Sequence, residues 1–320
     1  MTGQKRRGLV LGAGGVLGAS WTIGALNALQ DVTGWDPRQA EVIIGTSAGS
    51  VLAAFLANDV TPRQLLNHQR GIVEPGDPVI EYDADAEGAL PQLPKLGIGS
   101  ARLLKTVARH PRKVTPLTAL ASITPKGRGS LDPVRTLVEA VCPRGQWAPH
   151  PRTWIVAMDY DTGKRVPFGR EGSPPAGLSD AVTASCAIPG WYAPVTIGGR
   201  RYVDGGACSP TSLDLVAPLG LDEVYVLSPM TSFDYDRPTS RLAKVERQFR
   251  RGITKRLVKE AVKVRRTGTA VVMLGPGAED LEAIGVNLMD ARRREAVLET
   301  SLRTSAEVLR RHYAGYAKPA

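Results

Sequence analysis

Cysteine and histidine are scarce in this chain, and the scarcity excludes several chemistries. Only Cys142, Cys186 and Cys208 occur among 320 residues, and no two of them form a CxxC pair. A disulfide scaffold or a zinc site needs more thiols at closer spacing, so neither is expected. Such sparing use fits a reducing compartment and leads to the expectation of a cytoplasmic protein. No run of about 18 apolar residues occurs, which argues against a transmembrane helix. Lys5, Arg6 and Arg7 precede an apolar stretch in the order of a signal peptide, but that stretch is too glycine-rich for a helical h-region. A P-loop lysine is missing too.

What is present is an ordinary globular composition, 42% hydrophobic and 22% charged, with a net charge of +10. The charge is local. Residues 241–266 hold eleven Lys/Arg against Glu246 and Glu260, a balance of +9 that leaves +1 for the other 294 residues. A nearly neutral body with one basic segment is a poor nucleic-acid wrapper, and no nucleic-acid partner is expected. On a helix, Leu242, Val245, Phe249, Ile253 and Leu257 share an arc of roughly 120°, with Lys244, Arg247, Arg251, Lys255 and Lys259 mainly opposite. The plain expectation is a helix packed by its apolar arc with a solvated basic face. The sharper one is peripheral contact of segment 241–266 with an anionic membrane.

Residues 8–11 and 41–45 are short apolar runs ending in glycine, each followed by helical spacing (Ile23, Leu26, Leu29; then Val51, Leu52, Phe55, Leu56). Strand–turn–helix twice in about 60 residues is the rhythm of an α/β fold. Prolines punctuate residues 71–126, where only 101–109 reads as helical, so residues 71–130 form an insertion over the sheet or a lid. Order returns with a helix at 133–141, a strand at 154–158 with a hairpin arm at 165–168, a helix at 178–187 and a strand ending at 202–206. Strands at 224–227 and 270–274 and a closing helix at 291–311 complete the chain. No clean domain boundary appears.

Gly45-Thr46-Ser47-Ala48-Gly49 reads G-x-S-x-G between a strand and a helix. Small neighbours permit the sharp turn that lifts a hydroxyl to the sheet's edge, with a helix N-terminus behind it. Gly12-Ala13-Gly14-Gly15-Val16-Leu17-Gly18 ends the first strand and opens the first helix, offering backbone N–H groups to an anion. A dinucleotide fingerprint wants glycine where Leu17 stands, so an oxyanion hole ranks first, a dinucleotide site a distant second, and tight packing is the plain alternative.

A serine nucleophile needs a base. His68, His110, His150 and His312 have no setting that selects them. The order Ser47…Asp204…His312 matches an α/β-hydrolase triad, but His312 falls on a terminal helix. Asp204 ends a strand and is followed by Gly205 and Gly206, which admit close approach, although Asp-Gly is also a common turn. Trp191, Tyr192 and Pro194 are candidates for an acyl groove, with core packing as the alternative. Cys186 and Cys208 read as small buried thiols, and Asp159 with Asp161 as a hairpin turn.

Taken together, Leu11-Gly-Ala-Gly-Gly-Val-Leu-Gly18, Gly45-Thr-Ser-Ala-Gly49, Ala184-Ser-Cys-Ala-Ile-Pro-Gly190 and Asp204-Gly-Gly206 resemble the patatin-like phospholipases over about residues 8–210. Gly285-Val-Asn-Leu-Met-Asp290 is also similar to bacterial members. The resemblance implies a three-layer α/β/α fold with a mainly parallel sheet. Its catalytic core would be 7–215, including the Pro-rich, partly helical insertion 71–130, and 216–320 would complete the same domain. It implies a lipid acyl hydrolase with Ser47 as nucleophile and Asp204 as base, Gly14 and Gly15 as oxyanion donors, no metal and no cofactor. Two departures stand out: Ala13 replaces a glycine, and Leu17 replaces a frequent cation. A non-catalytic lipid- or protein-binding module on the same fold is the alternative.

Overall fold

The computed structural model describes residues 5–75, 77, 99–109, 114–233 and 240–316. Strands β1 (Arg7–Leu11), β2 (Val42–Thr46), β3 (Thr153–Asp159), β4 (Arg165–Phe168), β5 (Val195–Ile197), β6 (Arg200–Asp204), β7 (Glu223–Leu227) and β8 (Ala270–Leu274) form one mixed sheet. Its order is β5-β6-β3-β2-β1-β7-β8, with β4 paired to β3. The pairs joining β3, β2, β1, β7 and β8 are parallel, and those involving β4, β5 and β6 are antiparallel.

Alternation along the central strands divides the core between two faces. Leu9, Leu11, Ile43, Tyr225 and Leu227 pack on one side, beneath α1 (Gly15–Thr33), α2 (Ala48–Ala57), α6 (Asp132–Glu139), α7 (Leu178–Ser185) and α10 (Arg294–Tyr316). Val10, Val42, Ile44, Val224 and Val226 pack on the other, against Leu257, Ala261 and Val264 of α8 (Arg241–Arg265). Both faces are covered, as a three-layer α/β/α sandwich requires. Arg7–Leu11, the stretch with the order of a signal peptide, is a central strand of this sheet. Within the described residues no helix is long and apolar enough to cross a membrane.

The fold differs from the sequence expectation in four places. Helix α3 (Pro62–Gln69) begins at a capping box in which Thr61 and Gln64 satisfy each other's backbone N–H, with Pro62 at the first helical position. Besides the expected α4 (Ala101–Arg109), the Pro-rich stretch holds α5 (Pro116–Ile123), capped by Thr115. In both cases proline opens a helix instead of breaking one. The short edge strand β5 joins β6 through Gly198-Gly199, both at positive φ. Residues 76, 78–98 and 110–113 of the insertion lie outside the described residues.

The fourth difference is in α8. Ile253 and Leu257 are buried as expected, but Leu242, Val245 and Phe249 are exposed. Arg247, expected on a solvated face, is buried with Arg250, both paired to Glu246. Over its first turns the helix therefore turns arginines inward and leaves apolar side chains outside.

Candidate active site

Three strands bring two distant side chains together. Val156 of β3 lies opposite Thr46 of β2 and Pro167 of β4; the next residue, Ala157, lies opposite Asp204 of β6 and Val166 of β4. A strand has two edges, and β4 occupies one of them at both positions. So β2 and β6 share the other edge, running toward each other and abutting end to end. Ser47 follows the last residue of β2, and Asp204 is the last of β6. Their meeting is thus fixed by backbone register across 157 positions of sequence.

Ser47 caps α2 with φ 54° and ψ −127°, a conformation that a non-glycine residue adopts only under constraint. The constraint is visible. Its N–H donates to Ser185 Oγ at 2.9 Å, and that hydroxyl donates to Val156 O at 2.6 Å. Its C=O accepts from the N–H and hydroxyl of Ser50 at 2.7 and 2.6 Å. Gly49 lies so close to β1 that a Cβ would collide with the Leu11 carbonyl. Gly45 packs on Ser50 and Ala53 of α2 just as closely.

Asp204 is buried, 5% exposed. Its Oδ1 accepts the Gly206 N–H at 2.7 Å, and the nearby Ser47 hydroxyl also favours the charged carboxylate. Desolvation outweighs both influences, and the carboxyl pKa is pushed from 3.8 up to about 6. Gly205 sits against the Val156 carbonyl, where a side chain would not fit.

The glycine loop approaches Ser47 from β1. Gly12 and Ala13 donate to Leu227 O and Pro210 O at 2.9 and 2.8 Å, which fixes the loop. The N–H groups of Gly14 and Gly15 have no acceptor among the described residues. Gly15 has φ +63°, which favours glycine. At Gly14 a Cβ would lie 2.6 Å from Pro229 Cγ. Pro229 is itself held from α8, whose Arg250 Nη1 donates to Pro229 O at 2.6 Å. The second tie from α8 is Glu260, which accepts from Ser209 Oγ, Thr211 Oγ1 and the Leu213 N–H at 2.6, 3.0 and 3.0 Å. Leu17 is wholly buried in the core, so this position faces the interior and not the site.

Two cavities meet at Ser47. A larger one of about 420 Å³ also reaches Asp204, Gly14, Trp191, Phe249 and Ile253. A smaller one of about 110 Å³ runs beneath α6, past Val51, Val134, Leu137, Cys186 and Tyr192. Gly15, Ile188 and Met289 line both. Of the three aromatic-segment candidates, Trp191 therefore lines the larger and Tyr192 the smaller, while Pro194 lines neither.

The other candidates fall elsewhere. His150 is bound to Ala40 O and Thr153 Oγ1 at 2.7 and 3.1 Å, and burial pushes its pKa down. His312 lies edge-on to Tyr313, and His68 lines a separate pocket beside Arg294. His110 is outside the described residues. None of the described histidines lines either cavity at Ser47. Asp159 accepts the N–H groups of Asp161 and Thr162, and Asp161 pairs with Arg201, as a hairpin turn would have it. Burial pushes the Cys208 thiol up. Ser185 is the positioning residue that sequence reasoning passed over. It lies within the Ala184–Gly190 segment, but nothing in that segment alone says that its hydroxyl bridges β3 to the turn.

A family model described as patatin-like phospholipase matches residues 9–217. Uncharacterized NTE family proteins of Mycobacterium bovis and Mycobacterium tuberculosis are each 31% identical over 140 residues, covering 41% of this chain and 37% of theirs. The chain thus matches little more than a third of the length of those relatives. Among solved structures, VipD from Legionella pneumophila aligns at a TM-score of 0.44 with 14% identity, over 97% of this chain and 67% of that one. The type III effector protein ExoU aligns at 0.38 with 16% identity, over 96% and 53%.

Proposed function

The chain belongs to the patatin-like phospholipase family, and on that premise we propose that it is a serine acyl hydrolase of lipid carboxylic esters, working through Ser47 and Asp204. The observation that carries the proposal is the pairing, at one end of an apolar cavity, of a serine held at positive φ with a desolvated carboxylate.

With its pKa near 6, Asp204 is largely ionised at neutral pH and still a far better base than an exposed aspartate. It takes the Ser47 proton as Oγ attacks the ester carbonyl. The carbonyl oxygen becomes an oxyanion in reach of the free Gly14 and Gly15 N–H groups, a contribution of about 3–4 kcal/mol per donor in such sites. The positive end of α2 favours the same charge. As the C–O bond breaks, Asp204 returns the proton to the departing alcohol, leaving acyl-Ser47. A water then gives its proton to Asp204 and attacks the acyl carbon, and Ser47 leaves with that proton restored. The acyl chain and the alcohol portion divide between the two cavities, with the longer chain in the larger one.

A fluorophosphonate probe together with released fatty acid from a lipid panel tests this reading. Wild-type protein should be labelled and release fatty acid, and Ser47→Ala should do neither while keeping its fold. Undiminished labelling or turnover of Ser47→Ala would refute it. No labelling of the wild type would favour a non-catalytic binding module on the same scaffold.

A further inference from the structure

We propose that the first half of α8 and the rim of the larger cavity form a docking surface for an anionic lipid bilayer. The proposal deepens the reading above, since a lipid hydrolase must meet its substrate where lipid aggregates. The apolar part is a stripe at helical spacing. Leu242 and Val245 are 64% and 65% exposed, Phe249 follows one turn on at 43%, and Ile253 then turns inward. Phe249 and Ile253 both line the cavity that holds Ser47 and Asp204. The stripe is therefore continuous with the mouth of the site, and Leu120 and Val286, both exposed, line the same cavity. Large apolar side chains gathered at one opening mark a contact surface on a folded chain.

The charge says which contact. Segment 241–266 has two acids, and both are consumed inward: Glu246 pairs with Arg247 and Arg250, and Glu260 with Arg256, Ser209 and Thr211. Lys244, Lys255 and Lys259 are exposed and make no ion pair among the described residues. On a helix they lie within roughly 60° of one another, about a quarter-turn from the apolar stripe. A helix that shows solvent an apolar stripe and a flank of lysines without acids fits the headgroup boundary of an anionic bilayer. A second copy of the chain would set the same lysines against each other.

Flotation of the Ser47→Ala protein with vesicles tests this without turnover. It should float with phosphatidylcholine–phosphatidylglycerol vesicles and not with phosphatidylcholine alone. Neutralisation of Lys244, Lys255 and Lys259 to Gln should lower partitioning about fivefold per lysine, and high salt should also lower it. The pair Leu242→Glu and Val245→Glu should abolish flotation. With Ser47 restored, these variants should hydrolyse a soluble ester normally, since none of the five positions lines the cavity. Absence of flotation, equal binding to neutral vesicles, or a concentration-dependent dimer that the Leu242/Val245 pair dissolves would overturn the proposal. If vesicles bind but no ester is cleaved by the wild type, the docking surface stands and the hydrolase reading falls.

Discussion

Asp204→Asn separates what this side chain does for chemistry from what it does to the fold. The carboxyl is nearly inaccessible, and its folded pKa is raised from 3.8 to about 6. The folded state thus holds this proton more tightly than the unfolded chain. Between about pH 4 and 6 the folded protein binds more protons, so stability falls as pH rises through that window and is constant above it. A shift of about two units, at about 1.4 kcal/mol each, means that ionised Asp204 costs the fold about 3 kcal/mol at pH 8. Asparagine has the same shape, keeps an acceptor for the Gly206 N–H and carries no charge. The variant should be inactive and about 3 kcal/mol more stable than wild type at pH 8, with the gap closing toward pH 4. At about 2 °C per kcal/mol for a large domain, Tm should rise by about 6 °C at pH 8. Urea denaturation followed by tryptophan fluorescence across that pH range measures the gap. An Asp204→Asn protein no more stable than wild type at pH 8, or a gap that does not change with pH, refutes the argument.

Four further outcomes follow from the same geometry. In wild-type protein kcat should fall as pH drops through about 6, because protonated Asp204 cannot accept the Ser47 proton; a profile flat from pH 5 to 8 would count against Asp204 as base. Ser185→Ala leaves the Ser47 N–H without its acceptor, which should cost about 1–3 kcal/mol in denaturation and lower kcat more than it changes KM. Glu260→Ala strands two hydroxyls and an N–H and should cost about 3–5 kcal/mol, with Glu260→Gln recovering part of it. Val134→Phe fills the smaller cavity and should narrow the range of acyl lengths accepted in a p-nitrophenyl ester series; an unchanged series would exclude that cavity from substrate binding.

The parts of the site that are legible in the sequence are those whose constraint is local. Gly45 and Gly49 flank Ser47 because backbone and helix press on them, and that pressure shows as glycine at fixed offsets. Gly15 and Gly205 follow the same logic. The continuous apolar runs of β1, β2 and β7 foretell two buried faces, because alternate side chains point to opposite sides and both sets are apolar. Ser185 was not legible, because its partners lie 138 and 29 residues away. Thr61-Pro62 and Thr115-Pro116 open helices, yet the prolines in the second of these settings looked like breakers; the threonine caps carried the opposite message. For α8, periodicity identified one apolar arc but could not tell that only Ile253 and Leu257 find a partner. Nor could it tell that Glu246 would draw Arg247 and Arg250 inward.

The end-to-end abutment of β2 and β6 on β3 has a consequence for biosynthesis. Chain emerging up to Asp159 can pair β1, β2 and β3 in parallel and place Ser47 at the end of β2, before the Ser185 hydroxyl that holds its N–H has been made. Its carboxylate arrives only with Arg200–Asp204, which must slot into the remaining length of an edge that β2 already half occupies. A nascent or truncated polypeptide therefore carries a serine without a base, and a chain cut between β4 and β6 would regain hydrolysis only when its two pieces reassociate. On the proposed mechanism, catalytic competence would be a marker of completed assembly, absent until the sheet has closed around the last strand it needs.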